Sequence, residues 1–166
     1  MDLSRVEADV LALGAALRRR GWHMATAESC TGGLIAAACT AVAGSSDWFE
    51  RGFVTYSNAA KTEMLGVDAA LVASQGAVSE AVARAMAVGA LQRAGVELAV
   101  AVTGIAGPGG ATPGKPVGTV WVALAVRGAT GDAQVQAERL QLGGDRAAVR
   151  EQTVQLALRR LREAAS

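Results

Sequence analysis

Thr26-Ala-Glu-Ser-Cys-Thr-Gly-Gly33 is the stretch that decides the fold of this chain. It follows a short apolar segment and leads directly into Leu34-Ile-Ala-Ala-Ala38, a run of helix-forming residues. A strand that ends at a polar turn and continues as a helix leaves backbone N–H groups unpaired, and these favour an anion or a developing oxyanion. The hydroxyl of Ser29 and the thiol of Cys30 at this turn favour a catalytic role over a purely structural one. The alternative is an ordinary strand-to-helix turn in which Ser29 or Thr31 caps the helix.

Composition and charge limit the class of protein. The 166 residues are 51% hydrophobic, and 16 basic and 15 acidic side chains give a net charge of +1. We expect one domain spanning residues 1–166, with no direct nucleic-acid binding, because that role needs a concentrated basic surface. No apolar run approaches the roughly 20 residues of a membrane span, and the N-terminus does not resemble a signal peptide. We therefore expect a cytoplasmic protein without a membrane partner.

The alternation of strand and helix patterns predicts the architecture. Apolar runs bounded by turn residues predict strands at 22–27, 52–56, 97–103, 117–126 and 133–142. Helical periodicity and capping residues predict helices at 3–20, 32–42, 59–65, 68–74 and 80–94, another from 146 onward, and a short helical turn at 47–49. The turn at 127–132 makes the last two strands an antiparallel hairpin. The pattern predicts a three-layer α/β/α domain with a mixed sheet.

A second polar turn, Thr103-Gly-Ile-Ala-Gly-Pro-Gly-Gly110, follows the most apolar strand. Loops at the carboxyl ends of strands in an open α/β sheet form the usual ligand crevice, and glycines let backbone N–H groups approach a phosphate. The turn matches neither the Walker A pattern nor G-x-G-x-x-G. A structural Gly/Pro loop remains the alternative.

Residue scarcity points to a catalytic pair. Of the 16 basic side chains only Lys61 and Lys115 are lysines, and Tyr56 is the one tyrosine. Arginine cannot act as a base, whereas a desolvated lysine can lose its proton near neutral pH. Lys61 follows Tyr56 by five positions across a predicted strand end, which favours a role in catalysis. The alternative for Lys61 is a solvated position on a short surface helix.

The single histidine, His23, does not suit a serine triad or a metal cluster. On the predicted strand it would lie about 20 Å from Ser29, at about 3.3 Å per residue. One histidine and two cysteines, Cys30 and Cys39, leave no His/Cys metal site, and we expect both thiols to be free. The remaining way to activate Ser29 is a Ser-Lys pair with Lys61. Cys30 is the rival nucleophile, because a helix N-terminus lowers a thiol pKa.

Several motifs together carry a family resemblance. Besides residues 26–33, they are Gly44-Ser-Ser46 with Trp48-Phe49, Gly52-Phe-Val-Thr-Tyr-Ser-Asn58 with Lys61, Gly76-Ala-Val-Ser79, Ala101-Val-Thr-Gly-Ile-Ala-Gly-Pro-Gly-Gly110 and Pro116-Val-Gly-Thr-Val120. In this order they resemble the C-terminal domain of the competence/damage-inducible CinA proteins, a family that also occurs as the stand-alone PncC amidase. The resemblance implies hydrolysis of nicotinamide mononucleotide to nicotinate mononucleotide and ammonia, in pyridine-nucleotide recycling, without a metal or cofactor.

The resemblance also assigns roles. It places the family's serine nucleophile at Ser29, its lysine at Lys61 and its tyrosine, which orients or relays the proton, at Tyr56. We expect the backbone around Cys30, Thr31, Gly32 and Gly33 to bind the oxyanion. The candidates for ribose and phosphate are Ser45, Thr103, Gly104, Ala106, Gly107 and Arg146.

Two other functions stay open at this point. One is a silent nucleotide-binding module of competence or the DNA damage response. The other is an amidase acting on a different small carboxamide. We also expect a homo-oligomer, although the apolar face of the first helix suits the core of one subunit as well as a partner.

Overall fold

The computed structural model describes residues 2–166. Its strands are β1 (Met24–Glu28), β2 (Phe49–Val54), β3 (Leu98–Gly104), β4 (Thr119–Arg127) and β5 (Ala133–Gln141). Its α-helices are α1 (Glu7–Arg20), α2 (Leu34–Thr40), α3 (Asn58–Leu65), α4 (Ala69–Gln75), α5 (Glu80–Ala94) and α6 (Arg146–Ala165). Two short 3-10 helices lie at Leu3–Val6 and Ser45–Asp47.

The five strands form one mixed sheet in the order β2-β1-β3-β4-β5. β1 runs parallel to both of its neighbours, whereas β4 is antiparallel to β3 and β5 is antiparallel to β4. The late antiparallel hairpin predicted from the turn at 127–132 is therefore confirmed.

Helices cover both faces of this sheet. α1, α2 and α6 pack on one face, against larger side chains such as Val100 and Val122. α3, α4 and α5 pack on the other face, where the central strands present small side chains such as Ala101 and Ala123. Side chains alternate across a strand, so one strand supplies valines to one layer and alanines to the other. The predicted three-layer α/β/α class is confirmed.

Side-chain caps hold the helices that flank the site. The hydroxyl of Ser57 accepts a hydrogen bond from the Ala60 N–H at the start of α3, and Asp145 caps α6 in the same way. The hydroxyl of Ser79 caps α5. Each of these side chains satisfies one of the N–H groups that a helix start leaves unpaired. No helix among residues 2–166 combines the length and apolar character that crossing a membrane requires.

Several predicted boundaries were wrong. β1 begins at Met24 rather than Trp22, because the Trp22 N–H still bonds the Leu17 carbonyl while the chain leaves α1. α2 covers 34–40 instead of 32–42. It begins later than predicted because Gly32 and Gly33 have left-handed φ values of 61° and 99° and so lie outside the helix.

The bounds of β2 also differ from the prediction. It covers 49–54 rather than 52–56, and the helical turn predicted at 47–49 lies at 45–47. The Trp48 carbonyl bonds the Met24 N–H at 2.8 Å, which brings the start of β2 into the sheet.

The parallel pairing of β1 with β3 positions the site. Glu28 lies opposite Val102, and the Ser29 N–H bonds the Val102 carbonyl at 3.1 Å. The turns that follow these two strands therefore meet at one edge of the sheet, as expected for carboxyl ends of parallel strands.

Candidate active site

A pocket of about 190 Å³ lies at this edge. Its lining residues are Ser29, Cys30, Tyr56, Asn58, Lys61, Ala77, Val78, Thr103, Gly104, Ala106 and Arg146. Most of the candidates identified from the sequence thus meet in one cavity, formed by the turn after β1, the start of α3, the end of β3 and the start of α6.

Ser29 and Lys61 form a direct contact inside the pocket. The Nζ atom of Lys61 lies 3.2 Å from the Oγ atom of Ser29, and it donates a hydrogen bond of 2.9 Å to the carbonyl oxygen of Thr55. The Lys61 side chain is only 1% exposed, and Ser29 is 9% exposed. Lys61 is therefore not the solvated surface residue that the sequence left open.

Burial changes the acid–base properties of Lys61. Desolvation lowers the pKa of its ammonium group below the ordinary value, and the neighbouring Cys30 thiol offsets this only in part. A lowered pKa increases the fraction of neutral amine near pH 7. The geometry and the direction of the shift together suit a lysine that accepts a proton from Ser29.

Glu28, which sequence reasoning missed, occupies the N-terminus of α2. Its carboxylate is 1% exposed and accepts hydrogen bonds from the backbone N–H groups of Gly33 (3.1 Å), Ile35 (3.0 Å) and Ala36 (2.8 Å). It also accepts one of 2.6 Å from the Thr31 hydroxyl. The helix start is thus neutralised by a side chain of the protein itself, and is not open to an anion as the sequence suggested. An acidic residue just before a turn into a helix was the available signal.

Only two of the four backbone N–H groups expected to bind the oxyanion are unpaired within the described part of the chain. The Gly32 N–H donates to the Ser29 carbonyl, and the Gly33 N–H donates to Glu28. Within residues 2–166, neither the Cys30 N–H nor the Thr31 N–H has a main-chain or side-chain acceptor. Cys30 and Thr31 directly follow Ser29 in the chain, so their N–H groups are the unpaired donors that the turn can offer to an oxyanion.

The Cys30 thiol is poorly suited to be the nucleophile. Its side chain is buried, and desolvation raises its pKa to about 11, so the thiolate is scarce at neutral pH. The helix N-terminus that was expected to lower this pKa is occupied by Glu28. Cys30 and Cys39 are both free thiols, as expected.

Tyr56 and Arg146 form the mouth of the pocket. Tyr56 is 61% exposed, and its hydroxyl accepts a hydrogen bond of 3.1 Å from Arg146 Nη2. The Nη1 atom of the same guanidinium donates to the Gly107 carbonyl at 3.0 Å. Within the described residues, neither Ser29 nor Lys61 hydrogen-bonds the Tyr56 hydroxyl. Arg146 therefore ties Tyr56 to the turn after β3.

That second turn is shaped by close backbone contacts. A Cβ atom on Gly104 would lie 2.6 Å from Val120, and one on Gly107, which has a φ of 83°, would lie 2.6 Å from Val117. The Thr103 hydroxyl is already bonded to the Ala77 carbonyl. Ala106 lines the pocket, so this turn forms its second wall.

Two residues lie apart from the pocket. Ser45 sits on the 3-10 turn before β2 and is not among the described residues that line the cavity. His23 precedes β1, with its Nδ1 atom 3.8 Å from a Glu97 carboxylate oxygen. The whole of β1 separates His23 from Ser29, which agrees with the prediction that it is no catalytic base.

A second cavity of about 530 Å³ adjoins the first and shares Ala106 and Arg146 with it. Its other lining residues are Pro108, Val117, Gly144, Asp145, Ala147 and Arg150. Arg150, also missed from the sequence, stands one helical turn after Arg146, and its Nη2 atom donates to the Thr31 carbonyl at 3.0 Å.

Residues 7–165 match the family model of the CinA C-terminal domain. This chain belongs to the CinA C-terminal domain family. The family resemblance of the sequence motifs is thereby confirmed.

Relatives of similar length carry an enzyme name. The chain is 54% identical over 146 residues to nicotinamide-nucleotide amidohydrolase PncC of Enterobacter agglomerans, covering 88% of this chain and 87% of the relative. It is 52% identical over 149 residues to the protein of the same name from Escherichia coli K12, covering 90% and 88%. A longer CinA-like protein of Citrifermentans bemidjiense is 57% identical over 150 residues, but this chain spans only 35% of its length.

Solved structures of the superfamily share the fold. The CinA superfamily protein KP700603 of Klebsiella pneumoniae aligns with a TM-score of 0.90 at 41% identity, covering 96% of this chain and 97% of that protein. The competence/damage inducible protein of Agrobacterium tumefaciens aligns with a TM-score of 0.89 at 45% identity, covering 96% and 94%.

Proposed function

We propose that this protein is a nicotinamide-nucleotide amidase, which hydrolyses the carboxamide of nicotinamide mononucleotide to a carboxylate and releases ammonia. The observation that carries the proposal is the buried contact of 3.2 Å between Lys61 Nζ and Ser29 Oγ. The relatives of matching length that bear the PncC amidohydrolase name support the choice of substrate.

The first half of the reaction begins with proton transfer. Neutral Lys61 accepts the proton of the Ser29 hydroxyl while Oγ forms a bond to the carboxamide carbon. The carbonyl oxygen becomes an oxyanion, which the N–H groups of Cys30 and Thr31 stabilise. The carbon–nitrogen bond then breaks, and the proton held by Lys61 passes to the nitrogen, which leaves as ammonia.

The second half returns the enzyme to its starting state. Water attacks the ester carbon of the acylated Ser29 and gives a proton to Lys61. The carbon–Oγ bond breaks, and Lys61 returns the proton to Ser29. The products are nicotinate mononucleotide and ammonia, and no redox cofactor enters the balance.

The two adjoining cavities suit the two ends of a nucleotide. Small-molecule pockets usually enclose about 300–1,000 Å³, so the 190 Å³ pocket holds only the carboxamide ring. The ribose and phosphate extend into the neighbouring space of about 530 Å³, past Ala106. Arg146 lies between the two cavities and is our candidate for the phosphate, because a guanidinium offers several N–H donors to its oxygens.

Tyr56 takes an orienting role in this proposal. Because the Tyr56 oxygen accepts a hydrogen bond from Arg146, the hydroxyl's own O–H stays free to donate to a substrate oxygen. A relay between Ser29 and Lys61 is unnecessary, since those two side chains already touch.

An ammonia-release assay tests the proposal with nicotinamide mononucleotide, nicotinamide and glutamine as separate substrates. We expect release from nicotinamide mononucleotide alone, and none from the Ser29→Ala variant. Release from another carboxamide only would indicate a different amidase. Binding of the nucleotide without release from any substrate would favour a silent nucleotide-binding module.

A further inference from the structure

We propose that Glu28 and Arg150 are positioning residues that hold Thr31 from two sides and thereby aim the N–H groups of Cys30 and Thr31 at the substrate. The proposal rests on the proposed amidase function. It assigns a role in the reaction to two side chains that do not themselves touch the reacting atoms.

Glu28 fixes the side chain of Thr31. The Thr31 hydroxyl, fully buried, donates to Glu28 Oε2 at 2.6 Å, and the same oxygen accepts the N–H groups of Gly33 and Ile35. A carboxylate with several donors is held rigidly, because each bond to an ionised acceptor is stronger than a neutral one. The Thr31 side chain is thus bound to the first turn of α2 and cannot rotate independently.

Arg150 fixes the main chain of Thr31. Its Nη2 atom donates to the Thr31 carbonyl at 3.0 Å, and its Nε atom is buried without a hydrogen-bond partner within residues 2–166. A buried donor left unpaired costs free energy. Arg150 thus makes its contact with Thr31 although one of its own buried donors is left unpaired.

These two anchors determine which way the turn faces. The Ser29 carbonyl is bonded to the Gly32 N–H, which fixes the peptide that carries the Cys30 N–H. Glu28 and Arg150 hold the Thr31 side chain and carbonyl, on the same residue that carries the second N–H, and the Leu34 N–H adds a longer bond of 3.4 Å to that carbonyl. Oxyanion donors stabilise a transition state only when they are already oriented toward it.

A purely structural role predicts a different result. If Glu28 and Arg150 only capped a helix and filled space, their loss would lower stability and loosen the whole pocket, and substrate binding would weaken. If they position the donors, the loss falls on kcat, because the oxyanion exists only in the transition state. Comparing the loss in kcat with the loss in substrate binding therefore distinguishes a positioning role from a structural one.

The first experiment compares Thr31→Val with Thr31→Ser. Valine has the shape of threonine but cannot bond Glu28, whereas serine keeps the hydroxyl. We expect Thr31→Val to lower kcat for nicotinamide mononucleotide about 10- to 100-fold, less than the 10²–10³ that follows loss of an oxyanion donor itself. Thr31→Ser should restore most of this loss. Calorimetric binding of the nucleotide, measured with each change in a Ser29→Ala background, should stay within about twofold.

The second experiment tests the two anchors. Glu28→Gln and Arg150→Met should each lower kcat about 10- to 100-fold with little change in binding, again below the loss expected for a missing donor. Arg162→Met is the matched control, since it removes an arginine of the same helix that pairs with Asp9 away from the pocket. We expect it to keep the wild-type kcat. If Glu28→Gln does not fold, the Thr31 pair decides the role of Glu28.

The outcomes separate the two proposals. No ammonia release by the wild-type protein overturns the proposed function, and this inference with it. Release by the wild type with equal kcat values for Thr31→Val and Thr31→Ser overturns the role of Glu28 alone. Weakened nucleotide binding in Arg150→Met, without a larger loss in kcat, makes Arg150 a ligand contact and overturns its positioning role.

Discussion

The carbonyl oxygen of Thr55 lies 2.9 Å from Lys61 Nζ, and this contact orients the amine toward Ser29. A neutral amine has two protons and one lone pair. When one N–H of the amine donates a hydrogen bond to the Thr55 carbonyl, the lone pair is free to accept the proton of Ser29, whose Oγ lies 3.2 Å from Nζ. Thr55 thus contributes through its main chain, at the point where the chain leaves β2 and before Ser57 caps α3.

The reaction rate should rise with pH as Lys61 loses its proton. Burial lowers the pKa of Lys61, so the neutral form needed for proton acceptance accumulates below the ordinary pKa of lysine. We expect log kcat/KM to increase with pH and then to reach a plateau. The midpoint of this rise should lie below 10.5. The measurement should start above pH 7, because the substrate phosphate titrates near pH 6.

Lys61→Arg is the control for this pH dependence. A guanidinium keeps its proton throughout the accessible range, so the variant should be inactive at every pH although it keeps the positive charge. Ammonia release by Lys61→Arg at a wild-type rate would contradict a basic role for Lys61.

Replacement of Ser29 should abolish most of the activity, whereas replacement of its neighbour Cys30 should have little effect. Ser29→Ala should lower kcat by at least about 10³-fold, since removal of a nucleophile eliminates the covalent route. Cys30→Ala keeps the backbone N–H and should change kcat less than about threefold, because a thiol with a pKa of about 11 is not ionised at neutral pH. The ammonia assay with both variants measures this difference.

Thiol alkylation provides an independent check on Cys30. In the native protein at pH 8, neither Cys30 nor Cys39 should react with iodoacetamide, because both are buried and protonated. Both should react after unfolding in urea. Rapid native labelling of Cys30 accompanied by loss of activity would argue for the thiol as nucleophile.

Tyr56→Phe tests whether the hydroxyl orients the substrate or relays a proton. In the orienting role, loss of the hydroxyl should raise KM about fivefold, roughly 1 kcal/mol for one exposed hydrogen bond, with a smaller change in kcat. If the hydroxyl relayed a proton, its loss would instead lower kcat about 10²- to 10⁴-fold.

Arg146→Lys should also raise KM. The forked guanidinium of arginine bonds the Gly107 carbonyl and the Tyr56 hydroxyl at once, and the single ammonium group of lysine cannot reproduce that geometry.

The sequence predicted the contact between Ser29 and Lys61 for a physical reason. Of the two lysines in a chain rich in arginine, only Lys61 follows the predicted strand beside the turn that carries Ser29. The parallel order of strands then brings those two positions together. The strand and helix patterns likewise predicted the layers, because alternating burial is a local property of sequence.

Glu28 and Arg150 were not identified from the sequence. The partners of Glu28 all lie within the next eight residues, at the start of α2, so a local signal existed for it, whereas Arg150 acquires its role only through a tertiary contact. The Arg150 guanidinium reaches the Thr31 carbonyl from 119 positions away. The start of α2 depends on the left-handed conformations of Gly32 and Gly33. The sequence did not indicate these conformations, because a helix-forming run follows the two glycines directly.

Gly14 in α1 should not tolerate a side chain, although glycine weakens a helix interior. A Cβ atom there would lie 2.7 Å from Trp48 Nε1 and 2.9 Å from Cε2, and the Trp48 ring is only 1% exposed. The overlap should cost about 1–3 kcal/mol, more than the gain in helix propensity of about 1 kcal/mol for Gly14→Ala. Gly143→Ala is the matched control, since no atom lies within 4 Å of its added Cβ. Thermal unfolding should give a lower Tm for Gly14→Ala and no loss for Gly143→Ala. Equal Tm values would mean that the Trp48 ring moves aside at no cost, which its burial opposes.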